Sequence, residues 1–443
     1  VPDARVRRLA ATLYGYAFLS ELVLLYPLYA LLFSDTGLSV WQISSLFVIW
    51  SAASILLEVP SGAFADAVSR RLLLSLAPVV TAAGFALWVL VPSYPAFAVG
   101  FVLWGAGGAL ASGALEALVF TELDRLGAAG RYARVIGRAK TAGTLGVLAS
   151  ILLAGPVFAV GGYPAVGVAS VLACLLAAAV ATRLPEHRGP ETADVDAESV
   201  RAEAESVRAD AAPALVAGGG GPERTGHDGG ADDDEDLGWW ASLRAGLAEV
   251  RADRTVRAAV LLVAVVAAVW GALDEYTPLL ARDTGVGEAT VPLLLLLTWL
   301  GVAVGGLLAP AGERLTARGY AGLLALSALA LVAGALSARP AGFALVAAAF
   351  CGFQLATVLA DARLQARITG GSRATVTSLA GMATDVTVIA VYGGYGLLAT
   401  GAGNGVAFAV AAVPYLIVAL LLVTRVGRSA RRGPARTTAG HPG

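Results

Sequence analysis

The sequence predicts an all-helical membrane protein, with twelve transmembrane helices in two six-helix bundles related by a pseudo-two-fold along the membrane normal. Three observations predict it. Of 443 residues, 57% are hydrophobic and only 14% charged, against roughly 25% charged in soluble domains. The apolar residues gather into twelve runs, each near the ~20 residues that cross a bilayer. One long polar segment divides these runs six and six, and short motifs repeat across it.

The same composition excludes a soluble enzyme, a nucleic-acid-binding module and a disordered chain, because too few charges remain to coat a soluble surface. Cys174 and Cys351 sit inside apolar runs, and His187, His227 and His441 sit in polar segments. No disulfide framework or metal-ligand spacing follows. No phosphate-binding glycine loop with a lysine is present. No enzymatic activity, cofactor, metal or nucleic-acid partner is expected.

The runs cover residues 9–33, 41–63, 72–91, 96–120, 139–160 and 164–181, then 256–280, 289–310, 320–337, 341–360, 375–398 and 405–423. The first is long and lacks a small-residue cleavage site, so it reads as a span and not a signal peptide. Arginines alternate along the loops. Arg5, Arg7 and Arg8 precede span one, and Arg70 and Arg71 follow span two. Arg125, Arg131, Arg134, Arg138 and Lys140 lie between spans four and five. Arg314, Arg318, Arg363, Arg367 and Arg373 continue the pattern, and Arg425, Arg428, Arg431, Arg432 and Arg436 fill the tail. The intervening odd-numbered connections hold only Arg282 and Arg339. By the positive-inside rule both termini are cytoplasmic, and arginine- and alanine-rich usage points to a bacterial cytoplasmic membrane.

Residues 1–183 form the expected N-terminal bundle, 256–425 the C-terminal bundle and 426–443 a basic tail. The segment 184–255 between them is an expected cytoplasmic linker. The stretch 184–256 carries 17 of the 32 acids and 7 of the 31 bases. To about residue 236 the linker is acidic and rich in Gly and Ala, too polar to fold alone. Beyond it Trp240, Leu243, Leu247 and Val250 recur at helical spacing, as in a helix lying on the membrane surface.

The halves echo each other. Pro60-Ser61-Gly62 ends span two and Pro310-Ala311-Gly312 ends span eight. Asp35-Thr36-Gly37 follows span one and Asp283-Thr284-Gly285 follows span seven. After span two comes Gly62-Ala63-Phe64-Ala65-Asp66-Ala67-Val68-Ser69-Arg70-Arg71. This resembles the signature loop of the major facilitator superfamily, a glycine, then Ala-Asp three and four residues on, then a basic pair. A degenerate copy runs over residues 312–319. Ala67 replaces the usual basic residue and Ser69 the usual glycine, and span four lacks the arginine of many drug/proton antiporters. Gly155-Pro156 with Gly161-Gly162 loosely resembles the fifth-span antiporter motif. The resemblance implies that Gly62, Asp66, Arg70 and Arg71, with Glu58 and Glu116 nearby, form a gating loop that latches the halves on the inside.

The intramembrane acids carry the chemistry, because a carboxylate in lipid costs several kcal/mol unless it faces a cavity or partner. Glu58, Glu116 and Asp361 lie near cytoplasmic ends, where arginines such as Arg125, Arg138 or Arg363 offer pairing. Asp274 and Glu275 lie towards the outer end of span seven, where a solvated mouth would hold them. Glu21 and Asp385 are at mid-depth with no basic residue in reach. A desolvated carboxyl without a counter-ion is suited to loading and releasing a proton. The expected coupling residues are therefore Glu21 first, then Asp385, Glu275 and Asp274.

No arginine or lysine lies deep in a span, which argues against phosphate esters and di-acids as substrates. Tyr14, Tyr26, Tyr29, Trp104, Trp270, Tyr276, Trp299 and Phe353 are the expected cavity aromatics, with Tyr392 in a neighbouring position. Acids and aromatic rings together suit a lipophilic cation or an uncharged amphipathic molecule. The expected function is secondary active transport by alternating access, as proton-coupled export of such a molecule by a monomer. The alternatives are proton-coupled uptake of a sugar or other nutrient, and a membrane sensor without flux. The expected partners are the substrate, protons and the lipid bilayer.

Overall fold

The computed structural model describes residues 2–187, 254–367 and 373–431, with the side chains of 2–3, 58–67, 373–375 and 425–431 outside the described set. The acidic linker, the surface helix expected at 240–251 and the end of the tail lie outside the described residues. So do the side chains of Glu58, Gly62 and Asp66.

The N-terminal half begins with α1 (Pro2–Glu21), a break over residues 22–28, and α2 (Tyr29–Asp35). α3 (Val40–Ala67), α4 (Arg70–Leu90) and α5 (Tyr94–Arg125) follow, then α6 (Tyr132–Ala181). α6 crosses twice, because Gly161 and Gly162 leave helical geometry and fold the chain back. The C-terminal half repeats the plan. α7 (Arg254–Asp274) and α8 (Thr277–Asp283) are separated by Glu275 and Tyr276. α9 (Val291–Leu307) and α10 (Ala309–Gly312) make span eight, and α11 (Ala317–Leu336), α12 (Phe343–Gln365) and α13 (Arg373–Ala402) follow. α14 (Asn404–Ala411) and α15 (Val413–Arg431) close the chain. Nine described helical runs are long and apolar enough to cross a membrane. Counting α6 twice, and adding the divided first span and the 17-residue α9, gives the twelve expected.

The breaks in spans one and seven follow from proline and are stabilised locally. Pro27 lies in the first, and Pro278 opens α8 after the second. Backbone freed in a bilayer must find a partner. The Leu25 N–H donates to Ser170 Oγ of α6 (3.0 Å), and Thr277 Oγ1 donates to the Asp274 carbonyl (2.6 Å). The repeated Asp-Thr-Gly sequences fold alike. Thr36 and Thr284 each hydrogen-bond back into their helix (both 2.7 Å), and Gly37 and Gly285 take φ of +94° and +84°. Only glycine adopts that left-handed helix end without strain.

Contacts between the halves obey the pseudo-two-fold. α3 packs on α13, the span-five part of α6 packs on α9, and α2 packs on α8. Advancing each span number by six exchanges the first two pairs and returns the third to itself. Gly155 lies at the α6–α9 contact, where a β-carbon would fall 2.4 Å from the Ala289 carbonyl oxygen. The glycine read in the sequence as part of a loose antiporter motif thus sits in close contact with the other half.

The buried side chains divide unevenly along the membrane normal. At the arginine-rich end each half keeps its own cluster, one around Leu13, Leu74 and Leu123 and one around Val256 and Val376. Towards the far end one continuous cluster joins both halves. Among the described residues the molecule is sealed at the far end and parted at the basic end.

Candidate functional site

Between the halves lies a cavity of about 340 Å³. Its walls include Glu21 and Tyr26 from span one, Trp50 from α3, Trp104 from α5, Asp274 and Glu275 from span seven, and Trp299 from α9. Tyr29 also lines it. The first helix of each broken span ends here, since Glu21 is the last residue of α1 and Asp274 the last of α7. Three carboxyls therefore stand beside two helix C-termini, the ends at which the helix dipole is negative. Among the described lining residues none is basic. The rings form a row. Trp104 stacks on Trp50 (centroids 4.7 Å) and on Tyr26 (5.3 Å).

A second lobe of about 380 Å³ shares Trp50 and Glu275 with the first. Asp385, Ser51, Ser54 and Tyr392 complete its polar lining, so Glu275 faces both lobes. The solvated outer mouth, the alternative to a coupling role for Asp274 and Glu275, is not where the chain places them. The break puts them in the cavity wall, below a sealed end.

Other sequence candidates lie elsewhere. The Trp270 indole donates to Thr357 (3.1 Å) and its backbone N–H to Tyr415 (2.9 Å), within the C-terminal half. Phe353 is fully buried, stacked on Tyr415 at 3.9 Å. Tyr276 is buried at the seal, and Tyr14 packs against the N-terminal half's basic-end cluster. Glu116 and Asp361 are exposed. Arg363 stands over the Tyr320 ring (4.2 Å) and donates to the Leu315 carbonyl (3.2 Å). Trp50 was not singled out in the sequence. A tryptophan at the middle of a span, away from the interfacial belt, was the available signal.

The far-end seal is polar at its rim. Arg282 pairs with Asp35 across the halves (2.6 Å) and donates to Ser34, while Tyr163 donates to the other oxygen of Asp35. Deeper in, Tyr276 hydrogen-bonds Ser44 (2.7 Å) and stacks on Tyr395 (3.7 Å). Tyr395 donates to Asn404 (2.8 Å), and Asn404 to Asp283 (2.8 Å).

At the basic end, Ser69 caps α4 by accepting from the Leu72 N–H (3.1 Å). The Glu186 carboxylate accepts from the Ser69 hydroxyl and from the N–H groups of Arg70 (2.8 Å) and Arg71 (3.4 Å). The Arg70 guanidinium reaches Thr121 (3.1 Å). The His187 N–H donates to Glu122 (2.8 Å), and Leu184 is buried. The contacts of the N-terminal half thus run through His187, past the expected boundary at 183. Replacing 188–253 by a neutral flexible linker of similar reach should leave flux within a few-fold. Starting the replacement at 184 removes a buried leucine and a helix cap, and should cost about 3–5 kcal/mol. Thermal unfolding of the two purified variants checks this; equal midpoints would refute it.

The sequence matches the family model described as Major Facilitator Superfamily over residues 10–392. The chain belongs to the major facilitator superfamily. It is a multi-pass membrane protein and a secondary transporter of that non-enzymatic family. Solved structures agree on the fold. A bacterial homologue of the human lysosomal transporter Spinster, inward-facing and unoccupied, shares 14% identity over 99% of both chains with a TM-score of 0.67. The nucleoside transporter NupG shares 10% over 94% of this chain and 99% of its own, with a TM-score of 0.69. A D-xylose-proton symporter shares 15% over 95% and 97%, with a TM-score of 0.62. No curated protein matches by sequence.

Proposed function

We propose that this transporter exports a lipophilic organic cation in exchange for protons. The observation that carries the reading is the cavity wall, with three carboxyls, two helix C-termini, a row of aromatic rings and no described basic residue. Such a wall is selective by charge sign and by aromatic surface. The rings supply cation–π and stacking contact, and the carboxyls balance a positive charge that would otherwise be stranded in low dielectric. Protons and cation compete for the same carboxyls, and that competition couples them. The direction follows from the membrane potential. An inside-negative potential favours cation entry by about 2.3 kcal/mol per charge per 100 mV, so only export needs a coupled carrier.

Tetraphenylphosphonium is a suitable probe. Titrated into the purified protein, it should quench tryptophan fluorescence and release protons. Trp50→Leu should weaken the quench. In cells, dissipating the proton gradient should raise accumulation of the probe. Binding of an uncharged sugar with none of the cation would overturn the reading in favour of uptake.

A further inference from the structure

Away from the transport cavity, a hollow of about 630 Å³ lies within the C-terminal half near the basic end. Its body is apolar, with Leu261 and Leu262 of α7 facing Leu421 and Leu422 of α15. Leu261 and Leu421 are also exposed on the outer surface, so the groove opens sideways towards lipid. Its rim carries Arg363 and Arg367 from the end of α12. A second hollow of about 460 Å³, lined by Arg254, Thr255, Ala258 and Arg367, shares Ala258 and Arg367 with it. Among the described lining residues of either hollow none is acidic.

We propose that this groove is a binding site for one anionic phospholipid of the leaflet at the basic end. The acyl chain lies between α7 and α15, and the phosphate meets Arg254, Arg363 and Arg367. The two ends of the groove have opposite chemistry. A free phosphate or nucleotide would leave the leucine wall empty, and a zwitterionic lipid would bring its own cation beside the arginines. Basic pockets between helices near a membrane surface recognise anionic headgroups, and guanidinium groups bind phosphate in paired geometry. Arg363 is already oriented, because its guanidinium is fixed by the Tyr320 ring and the Leu315 carbonyl. The site touches α7, whose other end supplies Asp274 to the transport cavity, so its occupant stabilises that helix in its present place.

Native mass spectrometry of the full-length protein, with phosphatidylglycerol or phosphatidylcholine added, tests the assignment. One phosphatidylglycerol should be retained in preference to phosphatidylcholine. Arg254 and Arg367 are exposed, so R254Q and R367Q should preserve the fold, and each should reduce that preference about fivefold. Ala258→Phe, which fills the groove where the two hollows meet, should lower retention of both lipids. Equal retention of the two lipids would overturn the proposal, as would a preference unchanged in R254Q/R367Q. Displacement of the lipid by soluble glycerol phosphate would also overturn it, since that would show a phosphate site with no use for the tail.

Discussion

Glu21→Gln is expected to abolish gradient-driven transport while leaving the protein folded. Glu21 is the last residue of α1 and lines the cavity. Its stem is wedged against α6, where a β-carbon on Gly146 would lie 3.1 Å from Glu21 Cβ and one on Gly143 3.4 Å from its Cγ. The stem therefore has little freedom, and the carboxyl has the cavity before it. A purely structural role would need a hydrogen bond to a neighbour such as Tyr16, Ser20 or Tyr26. Among the described residues no such bond to Glu21 is present. Glutamine keeps the shape and most hydrogen bonding but cannot titrate. The variant should insert normally and bind an uncharged ligand, and binding of tetraphenylphosphonium should release fewer protons. Proteoliposomes with an imposed pH gradient provide the measurement. Retained uphill, pH-dependent transport would move the coupling role to Glu275, which faces both lobes, and Glu275→Gln then becomes the deciding variant.

The twelve spans were legible because hydropathy alone defines them, and loop arginines mark one end of the molecule. Glu21, Tyr26, Tyr29, Trp104 and Trp299 were singled out as acids or rings in spans expected to face a cavity, and the structure brings them to one wall. The breaks were not legible. Pro27 and Pro278 lie in runs whose overall hydropathy reads as one span despite Glu21, Asp274 and Glu275, and membrane helices tolerate proline, as the unbroken α4 does at Pro78. Depth counted at ~1.5 Å per residue assumes a continuous helix, which is why Asp274 and Glu275 were read as lying at a mouth. Long-range partners left no local trace. Asp35 and Arg282 are 247 residues apart, and each reads as a loop residue until α2 and α8 meet. Glu186 reads as one more acid of an acidic linker until its carboxylate is found on the start of α4. The signature-loop resemblance gave no hint of it, because the serine that Glu186 contacts is a departure from the motif.

Arg282→Ala is expected to shift the protein towards the state open at the far end. Arg282 is the cation of a network that crosses the halves, holding Asp35 and Ser34, while Tyr163 holds Asp35 from α6. The two ionic side chains are 30% and 35% exposed, so the pair alone is worth about 0–1 kcal/mol. The added hydrogen bonds to charged groups raise the expected loss to about 1–2 kcal/mol, a roughly 5- to 30-fold change in the ratio of states. That energy counts only in the sealed state, since parting α2 from α8 breaks both contacts of Arg282 and leaves Tyr163 with Asp35 inside the N-terminal half. It therefore changes the balance of states and leaves each half intact. Single cysteines placed at the far end and at the basic end report the balance by their labelling rates. In R282A the far-end site should label faster and the basic-end site slower. Asp35→Asn should do the same more weakly, because it keeps the geometry and removes one charge. The exchange D35R/R282D restores an opposite pair and should recover much of the sealed population. If instead R282A labels like the parent and transports normally, the network only ties down loops, and the seal rests on Tyr276, Tyr395 and Ser44 beneath it.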